Sequence, residues 1–531
     1  MDEFDFVVVG AGSSGGPIVD RLTASGRHSV LLLEAGPDDT NRWLTVPLGF
    51  AKTFLDPSVN WKFATEPEPE LGGRRIYWPR GKVIGGSSAI NGMVYIRGFA
   101  SDYDRWRQMG NAGWSFDDCL PYFKRLEAYP GGESELHGGN GPAKITQAEY
   151  FNEMSETFLA ACGEVGLPVI GDFNGRGEEG AGLYHATIHD GRRVSTGRAY
   201  IAPARQRSNC HVVTEAMVER IDVADGRATG VTYRKGGQTI SVRARREVVL
   251  SAGAVGSPHL LQLSGIGPAA RLSGLGIPVV RDLPGVGENL QDHWGVQSIY
   301  RTWWRLTIND DINLWHRRLS AVAEYALLRT GPLTASPAFA GAFVRLSPES
   351  DEPDTQFHFF PWSTDRVDRG PHRFSGFTIL AYQLRPESRG HIRLSSPDPS
   401  VPPAIVANYL STERDRRAAV AALRFTRLLA RSSALGRIIT EEIQPGTEVW
   451  NDQEFLARAR EQGLSAYHPV GTCRMGNDAG AVVDERLRLH GIAGLRVADA
   501  SIMPALVSGN TNAACMMIGE KAADLILADA R

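Results

Sequence analysis

The chain has 531 residues and a mass of 57.8 kDa, enough for several domain-sized units of roughly 150 residues each. Its 57 basic and 60 acidic side chains give a formal net charge of −3, so it lacks the basic excess of a nucleic-acid-binding protein. A hydrophobic content of 42% without long apolar runs is typical of a globular protein rather than a membrane-spanning one. The composition therefore predicts a soluble protein that does not bind nucleic acid.

The start of the chain and its cysteines predict a cytoplasmic location. Asp2 and Glu3 precede the first apolar run, and no basic region does, which is the reverse of a secretory signal or a transit peptide. The five cysteines are far apart and form no Cys-x-x-Cys pair, which favours neither a disulfide framework nor a zinc cluster. We expect a cytoplasmic protein without a metal site or a transmembrane segment, and we leave peripheral association with a membrane open.

The first predicted elements are a strand, a glycine-rich turn, a helix and a second strand. Residues 5–9 form a short β-branched run that ends in the turn 10–16. Residues 18–22 have helical spacing, and residues 29–34 form another buried strand. This order predicts the first half of a Rossmann-like unit.

A Gly-x-Gly-x-x-Gly motif lies in that turn. Gly10 permits the tight turn, Gly12 allows the backbone to approach a pyrophosphate, and Gly15 allows the helix to pack on the strand. Glu34 lies 19 residues beyond the last glycine, where a carboxylate can accept hydrogen bonds from an adenosine ribose. The motif predicts a dinucleotide site, but it does not separate FAD from NAD.

Further along the chain, the pattern predicts a second layer. Residues 247–254 are predicted to form another buried strand that leads into a helix. The region 301–459 is rich in aromatic residues, with a predicted strand at 356–362 and an amphipathic helix at 414–431. We predict a second domain built on a mostly antiparallel sheet.

The loop at 85–92 supplies successive glycines and serines, whose backbone donors and small side chains suit close approach to a phosphate or a planar ring. This loop and four later segments resemble the glucose-methanol-choline (GMC) family of FAD oxidoreductases over nearly the whole chain. The resembling segments are Gly81–Asn91, followed by Tyr95, Gly98 and Asp104, then Gly253–Gly267, Pro284–His293, Arg385–Gly390 and Ala498–Ser501.

The likeness is strongest to the bacterial alcohol, choline and sorbose dehydrogenase branch, with Asp172–Gly175 and Arg192–Tyr200 as further matches. It implies an α/β fold in which a Rossmann-like FAD-binding domain carries a substrate-binding cap on a mostly antiparallel sheet. We predict that the FAD-binding domain is discontinuous and comprises residues 1–155, 205–300 and 460–531. The cap would comprise residues 156–204 and 301–459.

The resemblance also implies which residues hold FAD. Some relatives bind FAD covalently through a histidine in the glycine-serine loop, but the matching residue here is Ile90, so non-covalent FAD is expected. Ser87, Asn91, Gly92 and Met93 would lie along the pyrophosphate and flavin, Val218 would meet the adenine through its backbone, and Asp499, Ala500, Thr511 and Asn512 would hold the ribityl chain and the pyrimidine side of the flavin.

Two residues are predicted to carry the chemistry. The segment Tyr467–Cys473 resembles the active-site segment of the family, with His468 as the base, and Asn510 lies in a segment that carries a second histidine or an asparagine. We expect a neutral imidazole near its unperturbed pKa of about 6.5 to take the hydroxyl proton while hydride leaves for the flavin. An amide N–H of Asn510 would stabilise the developing alkoxide.

The expected substrate is an alcohol, such as a sugar, a polyol or a primary alcohol, with electrons passing to a quinone-like acceptor. Three alternatives stay open: an oxidase that uses dioxygen, a choline dehydrogenase, and a hydroxynitrile lyase with structural FAD. Choline would call for an aromatic cage with a carboxylate, and the sequence places no carboxylate among the cap tryptophans. An NAD enzyme is disfavoured by the flavin-type loop.

Three further sets of residues are interpreted from the sequence. His293 is interpreted either as a cavity residue or as a structural histidine at a helix end, and Cys473 as a small packing residue. Five aromatic residues of the cap are left open between pocket wall and core, namely Trp303, Trp304, Phe357, Phe359 and Trp362.

Overall fold

The computed structural model describes residues 2–147, 152–366 and 369–530. Within them, two large sheets of seven strands each organise the chain. Their strands, in chain order, are β1 (Glu3–Val9), β2 (Val30–Leu33), β3 (Gly180–Leu183), β4 (Cys210–Val213), β5 (Met217–Ala224), β6 (Arg227–Lys235), β7 (Gln238–Leu250), β8 (Trp294–Thr302), β9 (Ala340–Val344), β10 (Thr355–Phe360), β11 (Gly376–Gln383), β12 (Ile439–Gln444), β13 (Leu464–Ser465) and β14 (Leu495–Val497).

The helices lie around these sheets, and small ladders of two or three residues connect them. The helices are α1 (Gly15–Thr23), α2 (Phe50–Thr53), α3 (Ala100–Gln108), α4 (Phe116–Leu126), α5 (Glu153–Glu164), α6 (Ala202–Ala204), α7 (Gly253–Leu263), α8 (Ala269–Gly274), α9 (Ile308–Asn313), α10 (Trp315–Leu328), α11 (Glu413–Ala430), α12 (Ser433–Gly436), α13 (Asp452–Gln462) and α14 (Asn512–Asp529). The short strands are Phe63–Ala64, Tyr77–Trp78, Val94–Tyr95, Glu127–Ala128, Ala143–Lys144, Thr146–Gln147, His185–Ala186, Ile188–His189, Arg192–Arg193, Ile266–Gly267, Arg281–Asp282, His391–Arg393 and Ala404–Val406.

The first sheet has the order β4-β2-β1-β7-β6-β5, with β14 pairing with β7 beyond its junction with β6. The pairs among β4, β2, β1, β7 and β14 are parallel, whereas β5, β6 and β7 pair antiparallel. Strand β2 is buried along its whole length, as expected for a parallel strand covered on both faces. α14 is tied to the start of α1, where Ser14 donates to the carbonyl of Cys515 at 2.7 Å. The turn that carries the glycines lies at the carboxyl ends of β1 and β2, where the Gly10 N–H donates to the carbonyl oxygen of Leu33 at 2.8 Å.

The second sheet is antiparallel throughout, with the order β12-β8-β11-β10-β9-β3 and with β13 added beside β8. Successive side chains on a strand point to opposite faces, so one face of this sheet packs against helices and the other faces a cavity. On β10, Phe357 packs against Phe425 of α11, and Phe359 packs against Phe158 of α5. His358 lies on the other face and lines a large cavity below the sheet. This sheet forms the roof of that cavity.

The predicted fold class is confirmed: the molecule has a Rossmann-like α/β sheet and a cap on an antiparallel sheet. The strand predicted at 356–362 is β10, the helix predicted at 414–431 is α11, and the strand predicted at 247–254 is the end of the longer β7. The predicted domain boundaries stay a prediction, and β8 crosses the one at 300/301. Among the described residues, we find no helix with the length and apolarity to span a membrane.

Candidate functional site

The glycine turn at the carboxyl end of β1 contains two glycines that the fold itself requires. Gly10 has a φ of +101°, and a Cβ atom there would lie 2.4 Å from the carbonyl oxygen of Ser251. A Cβ atom at Gly15 would lie 2.0 Å from the carbonyl oxygen of Gly10, so only glycine fits where α1 begins. At Gly12 the nearest atoms would be 4.0 Å away. Gly12 is therefore the glycine of this motif that leaves room for a ligand.

A continuous cavity of about 1240 Å³ extends from this turn to the cap sheet. It exceeds the roughly 300–1,000 Å³ of most single-ligand pockets, so it can hold a dinucleotide and a substrate together. Gly15 packs behind the turn and lies outside the wall. The other predicted site residues all line the cavity, namely Gly10, Gly12, Glu34, Ser87, Asn91, Gly92, Met93, Val218, His468, Asp499, Ala500, Asn510, Thr511 and Asn512.

Glu34 follows β2 and lies against the glycine turn. Its two carboxylate oxygens accept backbone N–H bonds from Ala11 and Gly36, each at 2.9 Å. Burial raises the pKa of Glu34 to about 7, although these hydrogen bonds and the charge of Lys82 act in the opposite direction. The carboxylate keeps free lone pairs toward the cavity wall it forms. Its predicted role as a ribose acceptor stays a prediction.

The end of the cavity that is predicted to take the adenine lies between β5 and α7. Val218 is near the start of β5 and is buried, and Leu260 and Leu263 of α7 line the same part of the wall. These apolar side chains make a slot that suits a flat aromatic base.

The glycine-serine loop contains a short 3-10 turn at Gly86–Ala89, after which the chain turns along the cavity. Met93 has a φ of 63°, which places residues 91–93 in a tight bend. The side-chain oxygen of Asn91 accepts from the Met93 N–H at 3.0 Å and from Nη1 of Arg193 at 2.7 Å. These bonds use the carbonyl end of the Asn91 amide and leave its NH₂ group for a ligand.

Arg193 is a buried guanidinium beside this loop. Within the described residues, its Nε and Nη2 atoms have no hydrogen-bond partner, and burial lowers its pKa to about 9. A buried cation with unpaired donors is costly unless a negative or polar group compensates it. Arg193 is not among the described residues that line the cavity, so it acts on a bound FAD only through Asn91, whose side chain it holds. The fit of this cofactor is supported instead by the open space beside Gly12 and by the NH₂ group of Asn91 on the cavity wall.

The C-terminal part of the cavity wall is fixed by Asp499. Its carboxylate accepts bonds from the Gly253 N–H at 2.9 Å, the Ser257 hydroxyl at 2.5 Å and the Ser501 N–H at 2.8 Å. Asp499 therefore ties the start of α7 to the chain before α14, in addition to its predicted contact with the ribityl chain. Ala500 follows it on the wall.

The amino terminus of α14 also faces the cavity. Thr511 and Asn512 open this 18-residue helix and line the wall. The side-chain oxygen of Asn512 accepts from the hydroxyl of Ser13 at 2.8 Å, which joins the helix to the glycine turn. A helix amino terminus carries unpaired N–H groups and a partial positive charge, which suits the electron-rich pyrimidine edge of a flavin.

His468 lies just after β13 and is held through its backbone. Its N–H donates to the carboxylate of Asp292 at 2.7 Å, and the same carboxylate accepts from the hydroxyl of Ser465 at 2.5 Å and from Tyr409. Asp292 is buried, and burial raises its pKa. This carboxylate acts as a fixed anchor for the segment that carries the histidine.

His293 determines which nitrogen of His468 carries a proton. Nε2 of His293 lies 2.9 Å from the carbonyl oxygen of Leu384, so it must be the protonated donor. Nδ1 of His293 is then an acceptor, and it lies 3.0 Å from Nδ1 of His468. His468 must donate from Nδ1, which leaves a lone pair on its Nε2. The sequence interpretation of His293 as a helix-end residue is wrong, because it immediately precedes β8.

Burial lowers the pKa of His468 well below its usual value of about 6.5, and the neighbouring His293, His358 and Arg80 add to this effect. Burial likewise lowers the pKa of His293 to about 4. The expectation of an unperturbed imidazole was therefore wrong, although both rings are neutral at pH 7. The low value arises from packing that the sequence does not show.

Asn510 lies on the cavity side of His468. Its Nδ2 donates to Nε2 of His468 at 3.1 Å, while its Oδ1 is buried without a partner among the described residues. Without a substrate, the amide of Asn510 therefore occupies the lone pair of the base. An alcohol that donates its proton to Nε2 must replace this bond, and the amide N–H is then free to donate to the alcohol oxygen.

The part of the cavity wall formed by the cap contains the polar side chain of His358 among aromatic residues. Tyr382 donates to Oε1 of Gln356 at 2.6 Å, so the bond of 3.0 Å between Tyr382 and Nε2 of His358 must be donated by His358. Nδ1 of His358 is then a buried acceptor, and no described residue occupies it. Trp362 continues the wall.

The other aromatic residues that the sequence left open have different places. Phe357 and Phe359 are buried in the core of the cap, Trp304 packs against that core, and Trp303 is exposed. Trp362 and, three residues later, the carboxylate of Asp365 both line the cavity.

Two further residues fit their sequence interpretation. Cys473 is fully buried in the core of the first domain, and burial raises the pKa of its thiol well above the usual value. Ile90 packs with Leu44, Val59 and Val83 and offers no nucleophile.

Sequence reasoning missed Arg80, Arg193, Asp292 and the role of His293. Asp292 and His293 stand in a segment already noted for its resemblance, as does Arg193. Adjacent charged residues in such segments were the available signal.

Comparisons with known proteins identify the family of the chain. Two models described as GMC oxidoreductase match residues 4–295 and 386–519. An "Oxygen-dependent choline dehydrogenase" of Vibrio vulnificus is 41% identical, over 99% of this chain and 95% of that protein. A pyridoxine 4-oxidase from Mesorbium loti superimposes with a TM-score of 0.88 at 31% identity, over 98% of both chains. An FAD-dependent oxidoreductase from Chaetomium thermophilum gives 0.92 at 28% identity, over 99% of this chain and 100% of the other.

Proposed function

Because the chain belongs to the GMC oxidoreductase family, we propose that it oxidises an uncharged alcohol, such as a polyol, a sugar or a primary alcohol, to the carbonyl compound. The protein is an FAD-dependent oxidoreductase that acts on CH–OH donors. When bound, FAD accepts the hydride from the alcohol carbon. The residues proposed to hold it are those of the cavity wall, without a covalent bond, since Ile90 replaces the nucleophile.

The observation that carries the proposal is the lone pair on Nε2 of His468. Nδ1 of His468 is committed to His293, so Nε2 is the nitrogen that can take the hydroxyl proton. The Asn510 amide lies beside it and can donate to the alkoxide as the proton leaves. The low pKa of the imidazole keeps it unprotonated, so the base is ready at neutral pH.

Charge near His468 favours a neutral substrate. The guanidinium of Arg80 lines the cavity and donates to the carbonyl oxygen of Tyr467 at 2.7 Å, next to the base. It stabilises a developing alkoxide and disfavours a cation at the same place. His358 adds a polar side chain to the cavity wall, which suits a substrate with a second hydroxyl group, such as a sugar or polyol.

Choline is the second candidate. The relative from Vibrio vulnificus is named a choline dehydrogenase, and the cavity wall contains Asp365 close in sequence to Trp362. A carboxylate with an aromatic ring is the combination that recognises a quaternary ammonium group. Asp365 is held by Nε2 of His372 at 3.2 Å and by Gln444 at 3.2 Å, so it is not free of other partners.

For the electron acceptor, we propose a quinone-like compound. Dioxygen is the alternative, which the name of the same relative supports. A lyase with structural FAD is the remaining alternative, since a bound flavin alone does not prove redox chemistry.

The test is an anaerobic titration of the purified holoprotein with polyols, sugars, primary alcohols and choline, followed by absorbance of the flavin. Bleaching by an uncharged alcohol supports the proposal, and bleaching by choline alone favours the second candidate. Admission of air or of a quinone dye then shows which acceptor restores the colour. A flavin that no alcohol bleaches contradicts oxidation and favours the lyase.

The variant His468→Ala ties the result to the base. We expect the bleaching rate to fall by roughly 10²–10⁴-fold with FAD still bound, because that is the usual contribution of a general base. The control is His211→Gln, an exposed histidine on β4. An unchanged rate in His468→Ala would exclude His468 as the base.

A further inference from the structure

Helix α10 presents an apolar face that the rest of the described chain does not cover. Of its 14 residues, only Ala321 and Tyr325 are buried. Trp315 is 71% exposed, and Leu319 and Val322, four and three residues further on, lie on the same face. Leu327 is 81% exposed and extends the patch toward the carboxyl end. Exposed apolar surface of this extent on a helix marks an interaction site.

Arginines surround this face. Arg317 and Arg318 stand at the amino end of α10, where Arg317 forms an ion pair with Asp311 of α9 at 3.6 Å. Arg329 follows the carboxyl end, and Glu324 is the one acid of the helix. Nη1 of Arg317 donates to the carbonyl oxygen of Arg305 at 2.9 Å, which brings a further exposed arginine to the amino end. The surface is therefore apolar in the middle and carries a net positive charge, with three arginines against Asp311 at the amino end and Arg329 against Glu324 at the carboxyl end.

This charge pattern disfavours a second copy of the chain as the partner. Two copies related by a two-fold axis place their α10 helices either parallel or antiparallel. In the parallel arrangement the arginines of the two amino ends would face each other, and in the antiparallel one they would face Arg329, with Glu324 as the one helix acid nearby. An anionic surface has the complementary charge.

The apolar residues match a lipid surface in size and kind. At 1.5 Å per residue, α10 is about 21 Å long, too short to cross a bilayer of about 30 Å. Tryptophan and leucine on one face with arginines beside them are typical of helices that lie in the headgroup region. We propose that α10 docks the protein on an anionic lipid surface, with the helix in the plane of the membrane.

This docking places the cavity wall at Trp362 on the side of the protein that faces the lipid. Ile308 and Ile312 of α9, the helix that packs against α10, form a cluster with Leu48 and Trp362. Trp362 lines the cavity and donates to the carbonyl oxygen of Pro337 at 3.1 Å. The α9–α10 pair thus lies outside the Trp362 wall. The inference does not depend on the alcohol that is oxidised, and it holds even if the proposed reaction is wrong.

The test is cosedimentation of the holoprotein with vesicles of phosphatidylcholine alone or of phosphatidylcholine mixed with phosphatidylglycerol. We expect binding to the mixed vesicles that weakens with salt, and little binding to the neutral ones. The double variant Trp315→Ser/Leu319→Ser should lose most of this binding, by about tenfold or more. Arg318→Gln should weaken binding less and reduce its salt dependence.

The control is Trp450→Ser, which removes an equally exposed tryptophan from another surface. Trp450 is 64% exposed and lies 5.6 Å from Arg427 of α11, on the face of the cap sheet opposite the cavity. Flavin absorbance and the thermal midpoint confirm that each variant is folded.

Three results would overturn the proposal. One is the absence of binding by the native protein, and another is equal binding by the native protein and the α10 double variant. The third is a native dimer that the double variant converts to a monomer without a change in vesicle binding, which would show that a second copy covers α10.

Discussion

The glycine turn and the histidine pair lie in one cavity, but the chain builds them in opposite ways. The turn takes its groups from one continuous stretch, residues 9–36, and fixes them through backbone conformation. The histidine pair consists of His293 and His468. Its partners are the side chain of Asn510 and the carbonyl oxygen of Leu384, and all four residues are distant in sequence. The turn should therefore be sensitive to added volume, and the pair to the loss of a single acceptor atom.

The largest effect is expected from added volume at the turn. In Gly15→Ala the new Cβ meets a backbone oxygen at 2.0 Å that cannot move away, so we expect a large fall in thermal midpoint or no folded protein. In Gly12→Ala the nearest protein atoms lie 4.0 Å from the new Cβ, so the apoprotein should keep its midpoint.

The same Gly12→Ala variant should bind FAD about 10- to 100-fold more weakly, because overpacking against a ligand costs about 1–3 kcal/mol. Calorimetric melting of the apoprotein and titration with FAD separate the two effects. Gly171→Ala serves as the control, because Gly171 has no positive φ and an added Cβ there meets nothing within 4 Å. If Gly12→Ala unfolds the apoprotein, the division between structural and ligand-contacting glycines is wrong.

The second largest effect is expected at His293, whose Nδ1 accepts the hydrogen bond from the base His468. Replacement of His293 with leucine removes the partner of Nδ1 of His468, so the imidazole can take the wrong tautomer and turn. We expect flavin reduction to slow by roughly 10- to 100-fold, with little change in FAD content. Stopped-flow bleaching under anaerobic conditions measures this rate.

His293→Gln is the conservative partner of that variant, because a carboxamide can accept from His468 and donate to the carbonyl of Leu384. Partial recovery of the rate in His293→Gln would show a positioning role. Equal rates in His293→Leu and the native protein would mean that the tautomer does not limit the reaction.

This contrast also explains what the sequence could predict. Strand, turn, helix and acid follow one another from β1 to Glu34, so local periodicity and spacing were enough to place them. His468 and Asn510 came from a resemblance, since nothing local distinguishes them from other histidines and asparagines. The partnership of His293 depends on the position of β8 beside β13, and burial of His468 depends on the cap sheet. Those contacts are tertiary, and a single sequence does not show them.

The third prediction uses the depressed pKa of His468. A base must be unprotonated, so the rate of flavin reduction falls only as the pH drops through its pKa. We expect the acid limb of the rate to lie below pH 6.5, with less than about a twofold loss between pH 8 and 6.5. In Arg80→Gln the loss of a nearby cation should move this limb to higher pH. A limb centred at 6.5 or above in the native protein would show that burial does not control the base.

The smallest effect belongs to the dinucleotide end, where Glu34 has a pKa of about 7 without a ligand. Ribose hydroxyls donate best to the ionised carboxylate, so bound FAD favours loss of the proton, and affinity should rise with pH through 7. We expect the Kd of FAD to fall by up to roughly tenfold from pH 6 to pH 8. Glu34→Gln has no carboxyl to titrate, so its Kd should be higher at pH 8 and nearly independent of pH. Because the backbone donors of Ala11 and Gly36 contact this side chain from within the turn, a pH-independent native Kd would mean that they, rather than a ribose, keep the carboxylate ionised.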